Sequence, residues 1–388
     1  MNIEDKPTLT TNRVEQAFDV SIVIPCLNEE KTIALVVQEV AKAFSASVYS
    51  FEVIVADNGS QDRSIDLAAK VGARVICAAE KGYGAALLAG FREAKAPIIL
   101  FGDADLTYDF SQGPALVDVL RASQARMAIG SRLNGDIEVG AMPFLHRYLG
   151  TPVLSKLISA LFNSRISDCN SGFRAVYRDS IDRWGIQCQG MEMASELIVK
   201  CLKSGDKVIE MPITLRIDRR GRPPHLERWR DGMRHLLFIL SQAPHGFTFI
   251  GLFFLAISAV VAFPAIVIGP VKFGTVGLFD YHTLIVGILF GLLGTQLMNY
   301  GLILDSHSVH PLRWNRWLLS FNEVFVLKLI IGVSVILVSF LAYIVFTWIS
   351  HGFNNLHFLR SSLSFLYLTG ALGNLGMGVF MAHVVQRS

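Results

Sequence analysis

The sequence predicts an α/β domain with a doubly wound, mostly parallel sheet, followed by an all-α transmembrane domain of four helices. Three observations carry that reading. Short apolar runs alternate with helical patterns between Val20 and Phe101, as in successive βαβ units. Of 388 residues, 52% are hydrophobic and 17% charged, and the apolar excess is concentrated after about residue 235. That later part holds four apolar runs of the roughly 20 residues needed to cross about 30 Å of hydrocarbon. The boundaries read as a polar tail at 1–18, an α/β domain at 19–225, an interfacial helix or linker at 226–244 and the transmembrane domain at 245–388. The tail has no apolar core, so no cleavable signal peptide is expected. A net charge of +3 is too small to argue for nucleic acid. The five cysteines, Cys26, Cys77, Cys169, Cys188 and Cys201, show no zinc spacing and all fall in the α/β part, as expected of reduced thiols facing the cytosol.

Val20 to Pro25 reads as the first strand, followed by Cys26-Leu27-Asn28-Glu29-Glu30 and a helix from Thr32 to Phe44. Phe51 to Ala56 is a second strand that breaks at Asp57-Asn58-Gly59-Ser60-Gln61-Asp62. A helix through Ala69 and a strand from Ala73 to Cys77 follow, and Glu80-Lys81-Gly82-Tyr83-Gly84 then opens a helix running to Lys95. The apolar run Ala96 to Phe101 is a buried strand, and just beyond it stand Asp103 and Asp105, separated by Ala104. In open α/β sheets ligands sit beyond the carboxyl ends of the strands, so the two acids lie where a ligand would. Crowded carboxylates repel unless a cation or a donor-rich ligand joins them, and Mg2+ takes one or two carboxylates plus phosphate oxygens. Each of these turns, taken alone, also reads as a helix cap or tight turn. Lys81-Gly82-Tyr83-Gly84 is not a Gly-x-x-x-x-Gly-Lys loop, although a helix opening with glycines can bring backbone N–H groups near a diphosphate. Four such turns on one sheet edge would form a single crevice.

Met142 to Phe162 is apolar but broken by His146, Arg147 and Lys156. It reads as an amphipathic segment at a membrane surface, with a plain core helix as the alternative. A helix begins at Gly190-Met191-Glu192 and runs to Lys203, with Glu192 as a cap or sugar contact and Ser195 as core packing. Val208 to Ile217 reads as a strand leading into Asp218-Arg219-Arg220-Gly221-Arg222-Pro223-Pro224, a basic loop too polar to be buried. Leu226 to Leu240, with Arg228, Trp229, Arg230, Arg234 and His235, reads as a second interfacial helix. The spans are Phe247 to Ile268, Thr283 to Leu304, Val324 to Ile349 and Ser361 to Val385, none with a charge near its centre. Glycines at 287, 291, 370, 373, 376 and 378 would let these helices approach closely. Arg313, Arg316 and Arg387 on one side, against Lys272 and Arg360 on the other, form a weak positive-inside bias that agrees with a cytosolic α/β domain.

The segments Ile24-Pro25-Cys26-Leu27-Asn28-Glu29, Asp57 to Asp62 and Gly102-Asp103-Ala104-Asp105 resemble the successive signatures of family 2 glycosyltransferases. Gly130-Ser131-Arg132 and Asp168-Cys169-Asn170-Ser171-Gly172-Phe173-Arg174 are similar to those of its polyprenyl-phosphate group, which includes dolichyl-phosphate mannose synthases and undecaprenyl-phosphate glucosyltransferases. The resemblance implies a nucleotide-sugar-binding domain of GT-A type. It implies that Pro25, Leu27, Glu29 and Asp57 line the base and ribose pocket, with Lys81, Gly82, Asp103 and Ala104 also on the nucleotide. Asp103 and Asp105 would hold Mg2+ or Mn2+, and Asp105 and Arg132 would be catalytic. Leu27 stands where dolichyl-phosphate mannose synthases have Tyr, and Thr107 where some members have Gln.

A lipid monophosphate, with a second pKa of about 6, is already ionised at neutral pH and needs cations rather than a base. Arg132, Arg147, Arg174, Arg219, Arg220 and Arg222 supply guanidiniums suited to phosphate. Arg132 and Arg147, with Arg219 or Arg220, are expected to hold the acceptor phosphate. The expected partners are a nucleotide sugar, UDP- rather than GDP-linked, a polyprenyl phosphate (undecaprenyl or dolichyl) and the membrane, which in a prokaryote is the plasma or inner membrane. The four-span part leaves anchoring, a homo-oligomer and lipid handling open. Two other functions stay open at this stage: a processive polysaccharide synthase, suggested by His225-Leu226-Glu227-Arg228-Trp229, and a non-catalytic lipid-binding or flipping protein.

Overall fold

The computed structural model describes residues 18–220, 228–273, 276–306, 312–351 and 359–387. The polar tail and Arg222 therefore lie outside the described residues, as does most of the segment from His225 to Trp229. The chain forms two compact units, divided between Ile239 and Leu240.

The first unit contains, in order, β1 (Val20–Cys26), α1 (Ile33–Ser45), β2 (Phe51–Asp57), α2 (Ser64–Lys70), β3 (Arg74–Cys77), α3 (Tyr83–Glu93), β4 (Ile98–Phe101), α4 (Gly113–Ala122), β5 (Met127–Ser131), α5 (Thr151–Leu161), β6 (Arg174–Tyr177), α6 (Arg178–Trp184), α7 (Met193–Lys203), β7 (Val208–Pro212) and α8 (Arg228–Ser241), whose last residues enter the second unit. The seven strands lie in the order β3-β2-β1-β4-β6-β5-β7. All run parallel except β6, which is antiparallel to β4 and β5. Because strand side chains alternate between faces, β1 and β4 feed two separate cores. Ile22, Ile24, Ile98 and Leu100 pack under α1 and α4, while Val23, Ile99 and Phe101 pack under α3 and α7. The chain leaves β1 in one direction towards β2 and β3 and returns on its other side at β4. That reversal is the topological switch point at which such sheets bind ligands.

The expected strand over 208–217 stops at Pro212, which lacks a ladder donor. Leu215 continues only as isolated bridges to Tyr108 and Ile137. Of the loop expected to be too polar for burial, residues 221–224 lie outside the described residues and Arg219 is exposed, whereas the Arg220 side chain is only 13% exposed, with carboxylates around it. Between 142 and 162 the segment is amphipathic, with an exposed apolar face and a face in the core. Phe144, Leu145, Tyr148, Leu149 and Val153 are exposed, whereas Leu154 and Ile158 on α5 lie in the core. Arg147 lies over the Tyr148 ring at 5.4 Å on the outward face.

Helix α8 packs through Asp231, His235 and Ile239, one residue per turn, and exposes Met233 and Leu237 beside Arg230 and Arg234. An outward face mixing apolar side chains with arginines suits a membrane interface. In the second unit α9 (Pro244–Val267), β8 (Val271–Phe273), β9 (Val276–Leu278), α10 (Tyr281–Asp305), α11 (Arg313–Leu319), α12 (Glu323–Ser350) and α13 (Leu359–Arg387) follow. Four of these helices, α9, α10, α12 and α13, are long and apolar enough to cross a membrane. The antiparallel pair β8–β9 is an addition to the all-α expectation, formed by β-prone residues in a connection. Helix α10 packs on α9 and α13. A Cβ on Gly287 would come within 2.7 Å of Ala262, so the glycine permits that approach. Asn299 and Thr295 on α10 are tied to Asn374 on α13 by hydrogen bonds of 2.8 and 3.0 Å.

His235 accepts or donates one hydrogen bond to Ser195 at 2.8 Å and is otherwise enclosed. Burial lowers its pKa from 6.5 to about 4, with Arg174 lowering it further and Glu192 and Asp231 opposing the shift. The folded state therefore refuses a proton that the unfolded chain accepts below 6.5. The stability this contributes is complete above pH 6.5 and is lost as pH falls towards about 4. Amide exchange across α8 should quicken over that window, and His235→Gln should flatten the pH dependence.

Candidate active site

The carboxyl ends of β1, β2 and β4 lie side by side, with Cys26 in register with Asp57 and Val23 with Phe101. Asn28 sits in the left-handed region at φ 55°, which Asn tolerates better than other side chains. Its side chain accepts from Gln61 N at 2.8 Å, while Glu29 N donates to Ser64 at 2.7 Å. The loop after β1 is thus bound to the loop after β2. Pro25 and Leu27 are half-buried along it, and Glu29 and Asp57 are buried. Asp57 accepts from Gly59 N at 2.9 Å and Ser60 N at 3.0 Å, so its carboxylate holds the turn that follows β2.

Asn58 performs a task that no sequence signal distinguished. Its amide donates to Glu80 O at 2.8 Å and accepts from Gly82 N at 2.8 Å, joining the third loop to the second. The Gly82 N–H expected near a diphosphate is therefore engaged by Asn58. A Cβ on Gly82 would lie 2.2 Å from Gln189 O, and one on Gly84 2.3 Å from Cys188 O. These glycines let the start of α3 meet the 188–190 backbone, and Ala85 N donates to Gln189 O at 3.1 Å. Lys81 is exposed at the rim.

Past β4, Asp103 is half-buried, Ala104 and Asp105 are buried, and Leu106 takes a φ of 65°, unusual for Leu. Tyr83 donates to Asp103 Oδ1 at 2.9 Å, and the other oxygen faces Gly172, where a Cβ would stand 3.0 Å away. Thr107 donates to Asp105 Oδ1 through its N–H at 3.0 Å and its hydroxyl at 2.5 Å. That leaves Asp105 Oδ2 turned towards Arg220 Nη2 at 3.2 Å. Burial, and then the charge of Asp105, raise the Asp103 pKa from 3.8 to about 7 despite Tyr83, Arg132 and Arg220. Two hard oxygens held apart by one residue, with negative charge in excess, suit a divalent cation that completes its shell from phosphates. Among the described residues no group of three or more acids, histidines and cysteines forms a closed metal cage.

The arginines separate by their partners. Arg132, at the end of β5, donates through Nε and Nη2 to both Asp168 oxygens at 2.7 and 2.8 Å. Burial works against the Asp168 charge, but Arg132 offsets it and holds the carboxyl below the usual range. Arg132 is close enough to Asp103 to act on its charge, and its Nη1 has no acceptor among the described residues. Arg174 is corrected as a phosphate ligand: it is fully buried, with its guanidinium on the carbonyls of Cys169, Ser171 and Ala194 at 2.7–2.8 Å. Arg219 is exposed, and Arg220 joins Glu29, Asp105 and Asp218. The structure thus gathers Glu29, Asp103, Asp105, Arg132 and Arg220, while Arg147 stays on the outward segment. Tyr83, Asn58 and Asp168 complete the arrangement.

The model of the family described as glycosyl transferase family 2 matches residues 21–185. A low-salt glycan biosynthesis hexosyltransferase of Haloferax volcanii is 38% identical over 351 residues, covering 87% of this chain and 81% of that protein. A dolichol-phosphate mannosyltransferase of Pyrococcus furiosus is 29% identical over 208 residues, or 52% of this chain and 58% of that protein. Among solved structures, glucosyl-3-phosphoglycerate synthase from Mycobacterium tuberculosis, in complex with Mn2+, uridine diphosphate and glucosyl-3-phosphoglycerate, is similar with a TM-score of 0.48. It is 22% identical and covers 62% of this chain and 86% of its own. On its match to the family model and its likeness to the Haloferax hexosyltransferase, the chain belongs to glycosyl transferase family 2, and it is a glycosyltransferase.

Proposed function

We propose that the protein transfers a hexose from a nucleotide-diphosphate sugar to a polyprenyl phosphate, with inversion at the anomeric carbon and dependence on Mg2+ or Mn2+. The observation that carries this reading is the acid pair Asp103 and Asp105 at the switch point of the sheet, with Arg132 and Arg220 beside it. Relatives named hexosyltransferase and dolichol-phosphate mannosyltransferase support the acceptor class. In this reading 19–225 is the catalytic domain, 226–244 the linker and 245–388 the membrane domain, with catalysis at the cytosolic face. UDP is the preferred nucleotide.

Pro25, Leu27, Glu29 and Asp57 line the base and ribose pocket, and Lys81, Gly82 and Ala104 flank the phosphates. Asp103 and Asp105 would hold the divalent cation, which would supply positive charge against that developing on the leaving group. Arg132, oriented by Asp168, presents its remaining donor to an anion. Arg147, Arg219 and Arg220 supply further positive charge to the acceptor phosphate, whose own ionisation makes a general base unnecessary. The exposed apolar residues of 144–153 and of α8 give the unit a surface on which a lipid substrate can be met.

A panel of radiolabelled UDP- and GDP-sugars, incubated with polyprenyl phosphate and Mn2+, Mg2+ or EDTA, tests the reaction. One lipid-linked hexose per acceptor is expected, and EDTA should stop its formation. Polymer would indicate a processive synthase, and no transfer a lipid-binding role. Asp105→Ala should lower transfer by about 100-fold or more while the protein stays folded and membrane-bound. In metal-free buffer at pH 8 the paired acids repel, so Asp103→Asn should raise the unfolding midpoint by about 2–4 °C. The same variant should be inactive.

A further inference from the structure

Arg220 lies 191 residues from Glu29 in sequence, yet its guanidinium sits 3.4 Å from Glu29 Oε1 and 3.2 Å from Asp105 Oδ2. Asp218 anchors it: Oδ2 receives Nη2 at 2.7 Å, and Oδ1 receives the Arg220 backbone N–H at 2.8 Å. Thr107 occupies the other oxygen of Asp105, so Oδ2 is the oxygen that Asp105 can offer a cation. Arg220 lies against that oxygen. A divalent ion and a guanidinium compete for it, because two positive charges around one carboxylate oxygen repel each other.

We infer that Arg220 is a counter-ion of Asp105 that competes with a divalent cation for it, so that a cation binding at the acid pair displaces it. The inference rests on the reading of Asp103 and Asp105 as cation ligands. Its consequence is a coupling: the guanidinium leaves Asp105 when the donor's cation arrives, still tethered through Asp218, and so becomes available to a phosphate at that moment. Coupling of this kind is reciprocal in binding free energy.

Mn2+ binding to the full-length protein in lipid nanodiscs, without nucleotide, is read from the electron paramagnetic resonance signal of free Mn2+. Removing the competing charge in Arg220→Gln should tighten Mn2+ binding by about tenfold, and Arg220→Lys should fall between. Affinity in Arg220→Gln equal to or weaker than wild type overturns the inference. Asp105→Asn separates the two levels: if it leaves Mn2+ binding intact, the cation assignment itself fails. A second measurement needs no variant. Phenylglyoxal modification of Arg220 in the wild-type chain, followed by mass spectrometry, should accelerate on adding Mn2+, and an unchanged rate overturns the displacement.

Discussion

Two carboxylates one residue apart, pressed against the end of a buried strand, repel each other. Much of the architecture around them answers that repulsion. Tyr83 donates to one acid, Thr107 to the other, and Arg132 and Arg220 bring positive charge alongside. Burial sharpens the need, because a low-dielectric surrounding strengthens both the repulsion and its remedies. An arrangement of acids that is uncomfortable alone is suited to a ligand that brings its own cation.

The loops that hold this arrangement are bound to one another rather than to the strands alone. Asn28 joins the first loop to the second, Asn58 the second to the third, and the glycines at 82 and 84 seat the third against 188–190. Arg174 binds three carbonyls within and beside the segment that carries Asp168, and Asp168 in turn orients Arg132. A guanidinium buried among carbonyls acts here as a strut, whereas one that reaches a carboxylate keeps its charge at the crevice. The difference between those roles lies in the partner, not in the residue type.

The second unit follows different physics. Its long helices present apolar side chains outward, and some of its polar groups meet across helix contacts, as Asn299 and Thr295 do with Asn374. Asp305 at the end of α10 accepts from Leu312 N and Asn315, holding α11 in place. Exposed Trp314 and Trp317 on α11 give that end of the unit the aromatic residues that favour a membrane–water boundary.

Local pattern was enough to read the strand–helix alternation, the acids at the end of β4 and the four apolar helices. Those features depend on periodicity of 2 or 3.6 residues and on composition over a single segment, which a chain displays in its own order. The partners of the charged side chains were not legible in that way. Arg174, Arg132 and Arg220 look alike as arginines beside glycine, serine and aspartate. It took the sheet order, with β6 running back between β4 and β5, to bury the first, pair the second with Asp168 and leave the third to a loop that closes on Asp105. Tyr83 and Asn58 were hidden for the same reason. Their partners come from loops far apart in sequence, and only the crossing of the chain at the switch point brings those loops within hydrogen-bond reach.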